Sequence, residues 1–88
     1  MRVVMVTRQN TEYTRESMDW VSEFQRETGI EVTIEDPETI SGEMFATHHE
    51  IIQYPCVCVL REDDSKIVQK WAGKLPQFEE VTYTLRDA

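Results

Sequence analysis

Two short runs in this sequence lack the polar alternation of an ordinary amphipathic strand: Val3-Val4-Met5-Val6-Thr7 and Cys56-Val57-Cys58-Val59-Leu60. A run with no polar side cannot turn one face to water. Each therefore reads as a strand buried on both faces, the situation of a sheet with helices on either side. That feature excludes a pure helical bundle and a one-sided open sheet, and it points to a layered α/β chain. With 88 residues there is room for one core, so residues 1–88 are expected to form a single domain.

The segments between the runs have periods of their own. From Tyr13 or Thr14 to Thr28, Met18, Val21 and Phe24 recur at helical spacing with Trp20 alongside, and Gly29 stops the helix. Ile30, Val32 and Ile34 alternate with Glu31, Thr33 and Glu35, a half-buried strand ended by Asp36-Pro37. Glu38 to Glu50 reads as a second helix with Ile40, Met44, Thr47 and Ile51 near one face and Gly42 as an unfavourable interior residue. Pro55 opens the second apolar run. Glu62-Asp63-Asp64-Ser65 makes a polar turn, and Lys66 to Trp71 returns as an edge strand guarded by lysines. Gly73 breaks that strand, Pro76 suits a first helical turn, and Phe78, Val81 and Leu85 mark a third helix. The order is β-α-β-α-β-β-α. The first strand–helix–strand unit is expected to be parallel and right-handed, and the last two strands an antiparallel hairpin. Three helices then flank a four-stranded mixed sheet.

That order resembles the thioredoxin/glutaredoxin-like superfamily, and particular residues carry the resemblance. The opening Val3 to Arg15 is similar to that of glutaredoxins, where an apolar strand ending in Tyr-Thr-Lys leads to Cys-Pro-Tyr-Cys at a helix start. Laid onto this chain, the redox motif falls on Thr11-Glu12-Tyr13-Thr14, of which only Tyr13 keeps the family residue. Ile51-Ile52-Gln53-Tyr54-Pro55 looks like the segment that carries the family's cis-proline. Trp71-Ala72-Gly73, followed by Pro76, is similar to the Trp-Ser-Gly turn of glutaredoxin-like reductants of ribonucleotide reductase. The resemblance implies a groove between the loop at position 13 and the residue before the proline. In family members that groove holds glutathione or an extended peptide, which pairs with backbone beside the proline like an added strand. On this chain the groove would be lined by Arg8, Thr11, Tyr13, Thr14, Gln53, Tyr54 and Pro55, with Gln9 nearby.

The chemistry departs from the family. Thiol–disulfide exchange needs a thiolate at the helix N-terminus to attack a disulfide sulfur. Thr11 and Thr14 have hydroxyls that ionise far too weakly and form no mixed disulfide, and Glu12 puts a negative charge where the family lowers a thiol pKa. Dithiol and monothiol exchange are both excluded at this position. The expected function is a redox-inactive binding module for a peptide, a protein segment or a glutathione-like ligand. The alternative is a thiol-dependent activity on Cys56, directly after Pro55, reacting with glutathione or peroxide. Against it, Cys56 and Cys58 lie on a central strand, where small buried thiols serve as packing. Residues i and i+2 of a strand have Cα atoms about 6.5–7 Å apart, near the upper limit for a disulfide.

The remaining candidates are weaker. His48 and His49, adjacent on a helix, point about 100° apart, so they read as solvated helix-end residues rather than joint metal ligands. Asp36, Glu38 and Glu43 could hold a divalent cation only loosely, and their spacing matches no loop motif; no metal and no cofactor is assigned. Nine Lys plus Arg against 17 Asp plus Glu leave a net charge of −8, which argues against a nucleic-acid or anionic-membrane binder. Glu31, Glu35, Asp36, Glu38, Glu43 and Glu50 fall within residues 31–50, a stretch with no Lys or Arg. That stretch is either a solvated face or a docking surface for a basic protein, through which the chain would act as a scaffold. The first apolar run is too short for a signal core or a membrane span, and two cysteines make no disulfide scaffold. A soluble, cytoplasmic protein is expected.

Overall fold

The two apolar runs become the central pair of the sheet. In the computed structural model, which describes residues 1–9 and 11–86, the chain forms β1 (Arg2–Val6), α1 (Thr14–Thr28), β2 (Val32–Glu35) and α2 (Ile40–His48), followed by β3 (Cys56–Leu60), β4 (Ile67–Ala72) and α3 (Phe78–Arg86). The sheet order is β2-β1-β3-β4. β1 runs parallel to β2 and antiparallel to β3, and β4 folds back antiparallel on β3. Val3 to Val6 and Cys56 to Leu60 are fully buried, as strands flanked on both sides and covered on both faces must be. Thr7 follows β1 rather than belonging to it; its N–H donates to the Glu35 carbonyl at 3.0 Å.

Strand alternation sorts the apolar residues into two layers. On one side Val3, Met5, Val57, Val59 and Trp71 meet Trp20, Val21 and Phe24 of α1 and Val81 of α3. On the other, Val4, Val6, Cys56, Cys58 and Leu60 meet Ala46 of α2 and Ile51. Trp20 stacks on Phe24 at 5.0 Å, and Phe78 sets its edge against both. The Trp20 indole N–H donates to the Pro76 carbonyl at 2.8 Å, which fixes α1 to the turn that starts α3. Both tryptophans are thus core residues. Among the described residues no helix is long and apolar enough to cross a membrane.

Two expected faces are corrected. Met18 is 37% exposed, because the inward row of α1 is Ser17, Trp20, Val21 and Phe24. On α2 the expected inward residues Ile40 and Met44 are 83% and 68% exposed. The buried residues are Gly42 and Ala46, on the opposite side. The cause is a close approach: a Cβ at Gly42 would overlap the Asp36 carbonyl, so only glycine lets α2 sit against the end of β2. The helix is also shorter than its expected span of 38–50. Thr39 caps it, accepting from the Gly42 N–H at 3.0 Å, and the Asp36 carboxylate accepts from the Glu38 N–H at 2.9 Å.

Candidate functional site

The first wall of the site is the turn into α1. Thr14 donates its hydroxyl proton to the Arg8 carbonyl at 2.7 Å and accepts from the Thr11 N–H at 2.9 Å. Its oxygen also lies 3.1 Å from the Thr11 hydroxyl. A hydroxyl has one proton to give, so in that last contact Thr11 donates and Thr14 accepts. The two side chains expected at the redox positions therefore form a closed hydrogen-bonded pair, and neither carries a sulfur. Tyr13, the residue before α1, projects to solvent at 58% exposure.

The second wall is the loop before β3. The Tyr54–Pro55 peptide is cis. The Pro55 carbonyl accepts from the Gly73 N–H at 2.8 Å, joining this loop to the end of β4. Gly73 has φ +75°, a left-handed conformation that disfavours a side chain, and Gln53 packs beneath it: a Cβ there would lie 3.3 Å from the Gln53 Oε1. The Arg8 guanidinium crosses from the first wall and stacks over the Tyr54 ring at 5.3 Å. No hydrogen bond among the described residues engages the backbone N–H or C=O of Tyr54.

Between the walls lies a cleft of about 530 Å³, within the usual range for small-ligand sites. Of the seven residues expected there, Arg8, Thr11, Tyr13, Tyr54 and Pro55 line it; Thr14 supports it from behind, and Gln53 is turned toward Gly73. Thr7 and Glu12 line it as well. A second cavity of about 360 Å³ continues on the far side of Tyr13, Tyr54 and Pro55, reaching Glu16, Gly73 and Lys74. Sequence reasoning missed this lobe. Its signal was the Trp71-Ala72-Gly73 turn, which delivers Lys74 to the end of the groove.

Cys56 and Cys58 do not line the cleft. Both are free, fully buried on the α2 side of β3, with sulfurs 3.7 Å apart. A hydrogen bond from Cys58 favours the thiolate of Cys56 and lowers its pKa, burial opposes this, and the same bond and burial push the Cys58 thiol far up. His48 is the last residue of α2 and His49 its C-cap, with the His49 ring 4.5 Å from Phe45. Among the described residues no group of three or more His, Cys, Asp or Glu is placed to hold a metal.

The sequence matches no protein-family model and no curated protein. Solved structures do match. Thioredoxin 1 of Thermosipho africanus superposes over 99% of this chain and 92% of its own, with a TM-score of 0.69 at 14% identity. A thioredoxin from Thermus thermophilus superposes over 98% of this chain and 73% of its own, with a TM-score of 0.59 at 19% identity. The fold is thioredoxin-like. A malarial protein of similar shape covers 97% of this chain and 92% of its own, with a TM-score of 0.67 at 8% identity. At such identities the thioredoxin-like fold is what is shared, and activity has to be argued from this chain's own residues.

Proposed function

We propose that this thioredoxin-like chain is a redox-inactive binding module, one cytoplasmic domain whose cleft beside Pro55 takes an extended acidic peptide or a glutathione-like carboxylate ligand. The observation that carries the reading is the open cleft between Tyr13 and Tyr54, lined by Arg8 and Glu12 in its larger lobe and by Lys74 and Glu16 in its smaller one. Arg8 and Lys74 can each meet a carboxylate and Glu12 and Glu16 an amino group, while the two rings cover the ligand's backbone between them. The backbone groups of Tyr54, unengaged among the described residues, supply a donor and an acceptor for pairing in the manner of an added strand. Thr11 and Thr14 hold the loop through hydrogen bonds, a structural role that requires no sulfur. The two free buried thiols fit a reducing compartment.

The test is a titration of isotopically labelled protein with S-methyl glutathione and with a short acidic peptide, followed by NMR. Shifts are expected at residues 8, 11–14, 54–55 and 74, and Arg8→Glu should weaken binding at least about tenfold. Shifts confined to other parts of the molecule would contradict the reading. So would rapid labelling of Cys56 by a thiol reagent in the folded protein, which would favour thiol chemistry instead.

A further inference from the structure

Helix α2 presents an apolar row to water on the side opposite its buried face. At about 100° per residue, Ile40 and Met44 stand opposite Gly42 and Ala46, with Glu43 and Thr47 beside them. The helix that carries the row is anchored at both ends. Thr39 caps its start, Gly42 seats it against Asp36, and the Lys70 ammonium reaches the carbonyls of His49 and Glu50 beyond its end at 3.2 and 3.3 Å. Around it lie the exposed carboxylates of Glu38, Glu43 and Glu50, in a stretch from 31 to 50 that has six acids and no Lys or Arg.

We propose that the outer face of α2 is a docking surface for a basic amphipathic polypeptide segment, separate from the cleft. The charge dictates a cationic partner. The bare Ile40 and Met44 side chains require that partner to carry apolar groups as well, which a simple cation or polyamine lacks. A second copy of this chain fails the same criterion, because pairing through this face brings two copies of one acidic surface together on molecules of net charge −8. Nucleic acid and anionic lipid carry the wrong sign. An amphipathic helix with leucines on one face and lysines on its flanks meets both demands, since its apolar row can lie along Ile40 and Met44 while its ammonium groups reach the acids.

A synthetic Leu/Lys amphipathic peptide, with a Leu/Glu peptide of the same pattern as control, tests this by NMR titration of the full chain. The Leu/Lys peptide should shift residues 38–48 and bind more weakly as salt is raised, and the control should not bind. The Ile40→Ser/Met44→Ser double variant, on a solvent face and so expected to fold, should weaken binding at least about fivefold. Arg8→Glu should leave this binding unchanged, which separates the outcome from that of the cleft. Failure of the Leu/Lys peptide to bind, undiminished binding to the double serine variant, or a concentration-dependent dimer of the native chain that the serines abolish would each overturn the proposal.

Discussion

The Thr14 hydroxyl makes every hydrogen bond it can: one given to Arg8, two accepted from Thr11. A group so engaged serves as a brace, and its place at the start of α1 explains how the loop keeps its shape without a disulfide or a thiolate. His49 supplies the other residue-scale consequence. Burial, followed by the charges of His48, Lys70 and Arg2, favours its neutral ring and lowers its pKa from the ordinary 6.5. The unfolded chain then binds the proton more readily. The contribution of His49 to stability is therefore complete above pH 6.5 and is lost as the pH falls through its lower folded value. Urea midpoints measured across this range should fall on the acid side, and His49→Gln should flatten that part of the dependence.

At the scale of elements, α1 does most to organise the larger core layer. Phe24 lies fully buried between Trp20 and Phe78, so Phe24→Ala is expected to cost about 3–5 kcal/mol, read from urea unfolding with an unchanged slope. The order of elements was legible because the two strands buried on both faces, Val3–Val6 and Cys56–Leu60, can sit only at the centre of a covered sheet. The orientation of α2 was not. Its apolar residues lie on every side, Ile40 and Met44 outward and Phe45 and Ala46 inward, so periodicity cannot choose a face. The choice is made by Gly42 against the Asp36 carbonyl, a contact between segments that no local pattern contains. The cleft divides in the same way. Tyr13, Tyr54 and Pro55 were legible through the family resemblance of their segments, whereas Lys74 reaches the second lobe only because the chain turns through Gly73.

For the molecule as a whole, a thioredoxin-like frame with Thr11 and Thr14 at the positions proposed for a redox pair makes a direct prediction. The native chain should reduce insulin disulfides no faster than background. The Thr11→Cys/Thr14→Cys variant should gain activity clearly above it, and neither single cysteine should suffice, because both sulfurs are needed to attack and then resolve the mixed disulfide. The side-chain oxygens now stand 3.1 Å apart, so the two thiols would begin as neighbours. Absence of activity in a double variant that folds and melts like the native chain would mean that the redox positions have been misplaced on this sequence.

The division of the sheet into two unlike faces also equips the protein with two independent optical and chemical probes. Both indoles, Trp20 and Trp71, lie in the layer under α1 and α3, and both thiols, Cys56 and Cys58, lie in the layer under α2. Intrinsic fluorescence therefore watches one side of the molecule and the rate of sulfhydryl modification watches the other. Any motion that lifts α2 alone would leave the emission spectrum still while the thiols came into reach, so a single sample can report which half of the sandwich opens first.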